Sequence, residues 1–199
     1  MTTKTIGDHI MIALVGESGG GKSTSAKILS QLGFHLVELT SSLRAEAEAL
    51  FDAPTRAEVQ KHAKTMQKKE GNDVFARKAM ANLDFDSKGD IVIDGLRNQE
   101  ELEYISGLAA KNGRGFALVA LVTPQDVRFE RVLARQRQGD PVKRKKFADD
   151  DRRALGKGST GFQQNAHLIS IADHQINNSG DMGQLVEKLE AIIIQTRTA

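Results

Sequence analysis

The chain contains no cysteine and no tryptophan, a single tyrosine and only three prolines among 199 residues. Without cysteine there is no disulfide, no thiolate metal site and no cysteine nucleophile, so site chemistry is left to carboxylates, histidines and a phosphate-held Mg²⁺. The longest apolar runs, Ile10 to Val15 and Phe116 to Val122, fall far short of the roughly 20 residues needed to cross a bilayer. No membrane span is expected. The N-terminus, Met1 to Asp8, has neither a basic n-region nor a small-residue cleavage site, so the expected location is cytoplasmic. Charge of neither sign dominates: 28 Lys and Arg stand against 26 Asp and Glu. With 39% apolar residues and no low-complexity tract, one folded domain spanning 1–199 is expected.

Strand-length apolar runs alternate with helical-period segments. His9 to Val15 reads as a buried strand, Lys22 to Leu32 as a helix stopped by Gly33, and His35 to Leu39 as a second strand. Helices are expected from Ser41 or Ser42 to Leu50, from Pro54 or Thr55 toward Lys69, and over Asp73 to Leu83. Gly89 to Asp94 is the third strand, followed by a helix from Asn98 to about Lys111, a strand at Phe116 to Val122 and a helix from Pro124 to Arg137. A charged stretch precedes a helix near Phe162 to Ile171, a strand at His174 to Ile176 and a closing helix from Met182 to about Gln195. This β-α rhythm predicts an α/β fold with a parallel sheet covered by helices on both faces.

Gly16-Glu17-Ser18-Gly19-Gly20-Gly21-Lys22-Ser23 matches G-x-x-x-x-G-K-[ST] between an apolar strand and an amphipathic helix, the setting in which that motif has mechanical meaning. The glycines let backbone N–H groups turn toward a phosphate, Lys22 supplies a cation to the β- and γ-phosphates, and Ser23 can ligate Mg²⁺, with Thr24 following in the helix. The implied cofactors are ATP and Mg²⁺. Gly16, Ser18, Gly19, Gly20, Gly21, Lys22, Ser23 and Thr24 form the expected binding set.

Ile91-Val-Ile-Asp94-Gly95-Leu96-Arg97 ends a buried strand with an acid, and ligands of open α/β sheets bind at the strands' carboxyl ends. Asp94 is therefore expected to face the phosphates and hold Mg²⁺, and Arg97 to reach a phosphate with its planar fork. Residues 128 to 153 carry ten basic against five acidic side chains. Arg128, Arg131 and Arg135 recur on one helix face, and Gln138-Gly139-Asp140-Pro141 breaks the chain. This predicts a lid at about 135–157 that brings Arg135, Arg137, Arg152 or Arg153 to the transferring phosphoryl group. Lys143 to Lys146 is alternatively a contact for nucleic-acid phosphates. His9, His35, His62, His167 and His174 show no metal-ligand spacing.

The loop Gly16 to Ser23, the stretch Leu39-Thr-Ser-Ser-Leu43-Arg44 and Asp94-Gly-Leu-Arg97 together resemble adenylate kinase and its nucleoside monophosphate kinase relatives. The resemblance implies a P-loop three-layer αβα kinase with a five-stranded parallel sheet, an acceptor-binding helical insertion at about 40–85, and Arg44 and Arg97 on the acceptor's phosphate. Over nearly the whole chain the sequence is similar to dephospho-coenzyme A kinase-like proteins, with Asp151-Arg152-Arg153-Ala154-Leu155-Gly156 matching their Arg-Asp-x-Arg-x-Leu-Gly segment. In the ending Ile171 to Gly180, the resemblance places Asn178 near the nucleotide base. Those kinases carry Asp-Ala-Asp after the second strand, where this chain has Val37-Glu38-Leu39-Thr40. Glu38 is accordingly either a catalytic base or a partner for Arg44.

The acceptor expected from these features is a (deoxy)nucleoside monophosphate. Alternatives are dephospho-coenzyme A and a hydroxyl in DNA, such as a hydroxymethylpyrimidine base of phage DNA. An ATPase or switch without an acceptor is a further alternative, which leaves the acceptor-side arginines without a use.

Overall fold

A computed structural model describes residues 9–81, 83–86, 89–136, 140–155 and 164–198. Strand β1 (Ile10–Gly16) is apolar along its whole length because both its faces and both its edges are covered. It lies between β3 (Ile91–Asp94) and β4 (Gly115–Val122), with β2 (His35–Glu38) and β5 (His174–Asn177) at the edges, in the order β2-β3-β1-β4-β5. Every pairing is parallel. The chain fills one side of β1 with β2 and β3, then crosses to the other side for β4 and β5. This switch leaves a crevice at the carboxyl end of β1, where the glycine-rich loop sits.

Alternate strand residues feed two cores. Ile10, Ile12, Leu14, Val119 and Leu121 pack with Leu29 of α1 (Lys22–Gln31) and with Leu185, Leu189 and Ile192 of α9 (Met182–Thr198). On the other face, Met11, Ala13, Val15, Ile91 and Ile93 meet Ala76 and Met80 of α4 (Val74–Met80). Ile105 and Ala109 of α5 (Gln99–Lys111) and Leu168 of α8 (Asn165–Ser170) complete that side. This is the three-layer αβα P-loop fold, with five strands.

Residues 40–85 contain α2 (Ser41–Leu50), α3 (Arg56–Glu70) and α4. They share a small cluster of Leu43, Ala63, Val74 and Phe75. Glu46 of α2 ties the three helices together: Lys78 Nζ donates to its Oε1 at 2.7 Å, and His62 Nε2 lies 3.1 Å from its Oε2. Thr55 opens α3 with a reciprocal capping box to Glu58. No serine side chain caps α2; its cap residue is Thr40, and the Ser41 hydroxyl instead donates to the Glu38 carbonyl at 2.8 Å.

The charged stretch after α6 (Gln125–Arg135) holds an element that sequence periodicity did not reveal, helix α7 (Arg144–Leu155). Only Phe147 and Asp151, one turn apart, are buried on it, too few for an apolar stripe to be legible. Phe147 packs with Phe129 and Val132 of α6, the two rings 5.4 Å apart. Helix α6 ends at Arg135, before the expected Arg137, with Gln136 in the left-handed region at φ 47°. Arg137, like Gly156 and Phe162, lies outside the described residues.

Candidate functional site

A cleft of about 1320 Å³ follows the carboxyl edge of the sheet. Its middle is the loop Gly16 to Thr24. The side following β2 contributes Glu38, Thr40, Arg44, Glu48 and Pro54, and the side following β5 contributes Asn178, Gly180, Asp181 and Met182. Five strands at about 4.8 Å spacing separate those two sides by about 19 Å, room for two ligands meeting near β1.

The loop is braced from outside. Asn178 is buried, and its Nδ2 donates to the Gly20 carbonyl at 2.9 Å, joined by the Thr123 hydroxyl at 3.2 Å. Asn178 thus braces the loop while also lining the cleft, the side on which the family resemblance places it near a nucleotide base. Gly21 has φ 106°, and a Cβ there would stand 2.1 Å from the Asn178 amide nitrogen, so this position admits only glycine. A Cβ on Gly19, at φ 79°, would lie 2.5 Å from the Arg128 carbonyl.

Lys22 Nζ donates to the Gly16 and Glu17 carbonyls at 2.8 and 3.1 Å. Burial lowers its pKa to about 8, against the opposing pull of Asp94 and with help from Arg97, Arg135 and Arg128. The Ser23 hydroxyl donates to Asp94 Oδ2 at 3.0 Å. Two adjacent oxygens beside a phosphate loop fit Mg²⁺, which takes one or two protein ligands and fills its octahedron with water and phosphate oxygens. Among the described residues no three His, Asp or Glu side chains cluster as a metal site.

Glu38 pairs with Asp94 in the register of β2 and β3, so two acids end neighbouring strands on the cleft. Arg44 projects from α2 and Arg97 from the loop after β3, both into the cleft. Beneath Arg97, the buried Glu101 carboxylate accepts the Arg97 backbone N–H at 2.8 Å. Burial raises the Glu101 carboxyl to about 7, although that hydrogen bond opposes the shift.

The basic segment divides into unlike parts. Arg131 and Arg135 line the cleft, with Arg135 held bidentately by Asp140 at 2.6 and 2.9 Å. Arg128, grouped with them by spacing, is instead buried and bonded to Asp151 and the loop. Arg152 and Arg153, expected at the phosphoryl group, are exposed, pair with Asp149 and Asp150 on their own helix and do not line the cleft. The i,i+3 acids of α7 capture them. Lys143, Lys145 and Lys146 are exposed at the start of α7, while Arg144 lies over the Phe129 ring at 4.8 Å and pairs with Glu130. Sequence spacing missed Asp151, Thr123 and Gln125 as supports of the loop. Only the match of Asp151 to a family segment pointed toward it.

This architecture defines a P-loop protein of kinase-like fold. A family model described as an AAA domain matches residues 15–146. Shikimate kinase from Bacteroides thetaiotaomicron superposes with a TM-score of 0.57 at 17% identity, covering 93% of this chain and 98% of that one. Shikimate kinase from Acinetobacter baumannii in complex with shikimate gives 0.55 at 15%, covering 98% of each. At these identities the likeness is one of fold.

The chain is 31% identical over 187 residues to the UPF0200 protein of Methanopyrus kandleri, covering 92% of this chain and 89% of that protein. It is 31% identical over 168 residues to that of Thermoplasma acidophilum, covering 84% and 86%. The chain belongs to the UPF0200 family. It is also 30% identical over 187 residues to the UPF0200/UPF0201 protein of Archaeoglobus fulgidus, spanning only 55% of that longer relative. Among the described residues no helix is long and apolar enough to cross a membrane.

Proposed function

We propose that this chain is an ATP-dependent phosphotransferase whose acceptor is a (deoxy)nucleoside monophosphate. The observation that carries the reading is the presence of Arg44 and Arg97, from two different elements, in the same cleft as the phosphate loop. Two guanidinium groups facing one side of Lys22 suit an anionic acceptor, held by charge-assisted bidentate contacts.

In this reading Lys22 leaves the loop carbonyls for the β- and γ-phosphates of ATP, and Arg131 and Arg135 cover the transferring group from α6. Ser23 and Asp94 would hold Mg²⁺, which neutralises charge on the β- and γ-oxygens when bound. An oxygen of the acceptor phosphate attacks the γ-phosphorus as the bond to the β,γ-bridging oxygen breaks, and ADP departs. That oxygen is already anionic, so no base is required; alignment and charge neutralisation suffice.

Glu38 favours a second reading. A carboxylate ending the strand beside Asp94 is placed to accept a proton from a hydroxyl acceptor, as in dephospho-coenzyme A or a hydroxymethylpyrimidine of DNA. A screen with γ-labelled ATP against all ribo- and deoxynucleoside monophosphates, dephospho-coenzyme A and hydroxymethylated duplex DNA tests both. Labelled diphosphate is expected; label on a hydroxyl acceptor, lost in Glu38→Gln, would install the second reading. Steady ATP hydrolysis with no labelled acceptor would leave an ATPase.

A further inference from the structure

We propose that Arg128 and Asp151 form a clamp through which helix α7 holds the phosphate loop in its nucleotide-receiving shape, making both of them positioning residues. The proposal rests on the ATP reading of the loop given above.

The Arg128 side chain is 3% exposed, and all three of its guanidinium nitrogens have partners, through four hydrogen bonds and an ion pair. Nε donates to the Thr123 carbonyl at 2.9 Å, and Nη1 to the Ser18 carbonyl at 3.2 Å and Asp151 Oδ1 at 2.6 Å. Nη2 donates to Asp151 Oδ2 at 2.7 Å and lies 3.1 Å from Glu17 Oε1. Asp151 is as deeply buried and also accepts Gln125 Nε2 at 3.0 Å. Two of these partners, the Ser18 carbonyl and the Glu17 carboxylate, belong to the loop itself.

The consequence for the loop follows from peptide geometry. In a trans peptide the C=O and the following N–H point in opposite directions. Holding the Ser18 carbonyl toward Arg128 therefore turns the Gly19 N–H the other way. The Gly20 carbonyl, held by Asn178 and Thr123, directs the Gly21 N–H in the same manner. Gly19 and Gly21 both line the cleft. Anchoring alternate carbonyls outside thus frees alternate N–H groups to form an anion-binding nest.

Arg128 can serve only while α7 is docked. A guanidinium buried beside the loop without Asp151 would be a desolvated charge lacking its bidentate partner, a strongly unfavourable state. Phe147, on the same face of α7, closes the other side, with the guanidinium 5.6 Å from its ring centre. The shape of the loop at residues 16–23 therefore depends on a side chain more than a hundred positions away.

The test is Asp151→Asn in the full chain, with ATP affinity read by equilibrium binding and KM and kcat measured separately for ATP and acceptor. The variant should lose about tenfold or more in ATP affinity, the scale of one charge-assisted bond, with acceptor KM changed less than twofold. Asp151→Glu should recover part of the loss. A clamp serving only stability would lower Tm and leave ATP affinity alone; a folded Asp151→Asn with unaltered ATP affinity overturns the proposal. If that variant does not fold, Gln125→Ala and Glu17→Gln take its place, each expected to weaken ATP binding two- to fivefold, and unchanged affinity in both overturns it equally. Failure of the unaltered chain to bind ATP would overturn the clamp together with the ATP reading, which separates the two failures.

Discussion

In the proposed phosphotransfer, Lys22 is the side chain on which the chemistry of the site turns. Burial holds its ammonium near a pKa of 8 while it rests on the Gly16 and Glu17 carbonyls. Triphosphate oxygens favour the charged form, so binding ATP above that pH takes up a proton. ATP affinity should consequently fall as pH rises through about 8, by at most tenfold per unit, and calorimetry at pH 8.5 in buffers of different ionisation enthalpy should register proton uptake. Lys22→Arg, charged throughout, should bind with a flat profile. An unaltered chain whose affinity is level from pH 7 to 9.5 would show that Lys22 does not contact the phosphates. Other residues were harder to read. Arg128, Arg131 and Arg135 are equivalent by spacing, yet the first is buried and the other two line the cleft, Arg135 clamped there to Asp140. A side chain's role depends on what packs above it, and three arginines on one helical face carry no record of that.

At the scale of elements, α2, α3 and α4 depend on a small apolar cluster and on Glu46. Helix α4 joins them to the sheet core through Ala76 and Met80. Hydrogen bonding to Lys78 is the first cause holding the Glu46 carboxyl below its ordinary value, with His62 adding to it. The pair's stabilisation is present above the ordinary carboxylate pKa and is lost as pH falls through the lowered one. Glu46→Gln should loosen α2 and raise acceptor KM several-fold, with ATP KM unchanged because α1 and the loop stand on β1. The difference between the two proteins should shrink as the medium becomes acidic. Equal effects on both KM values would place Glu46 outside acceptor positioning. The α2 start shows why caps are hard to assign: Ser41 and Ser42 both had cap chemistry, but the cap position falls one residue before Ser41, on Thr40, and the Ser41 hydroxyl turns back to Glu38.

For the molecule as a whole, the choice between a small acceptor and a nucleic acid is a choice between two groups of cations. Arg44 and Arg97 lie in the cleft, whereas Lys143, just before α7, and Lys145 and Lys146 in its first turn are exposed and do not line it. With a monophosphate acceptor, Arg44→Ala and Arg97→Ala should each cost about 2 kcal/mol of acceptor binding. Replacing the three lysines by alanine should then have little effect, and acceptor saturation should depend weakly on salt. A nucleic-acid acceptor would invert the pattern, with a slope of log affinity on log salt near −0.9 for each phosphate contacted, shrinking in the lysine variant.

The chain order of the strands and of every helix but α7, the glycine-rich turn after β1 and the acid ending β3 were readable from residues alone. Each is a local matter: a fully apolar run must be buried on both faces, and the glycine-rich motif is written in eight consecutive residues. Helix α7 was not readable, because its two inward residues matter only once α6 lies beneath them. Asn178 sits 158 positions from the carbonyl it holds, and Asp151 sits 23 positions from its arginine. Local propensity determines which segments become strands and helices, since it acts over a few residues. Which buried polar groups find partners is decided by close packing between distant segments, because a buried donor must be satisfied by whatever acceptor the fold brings to it.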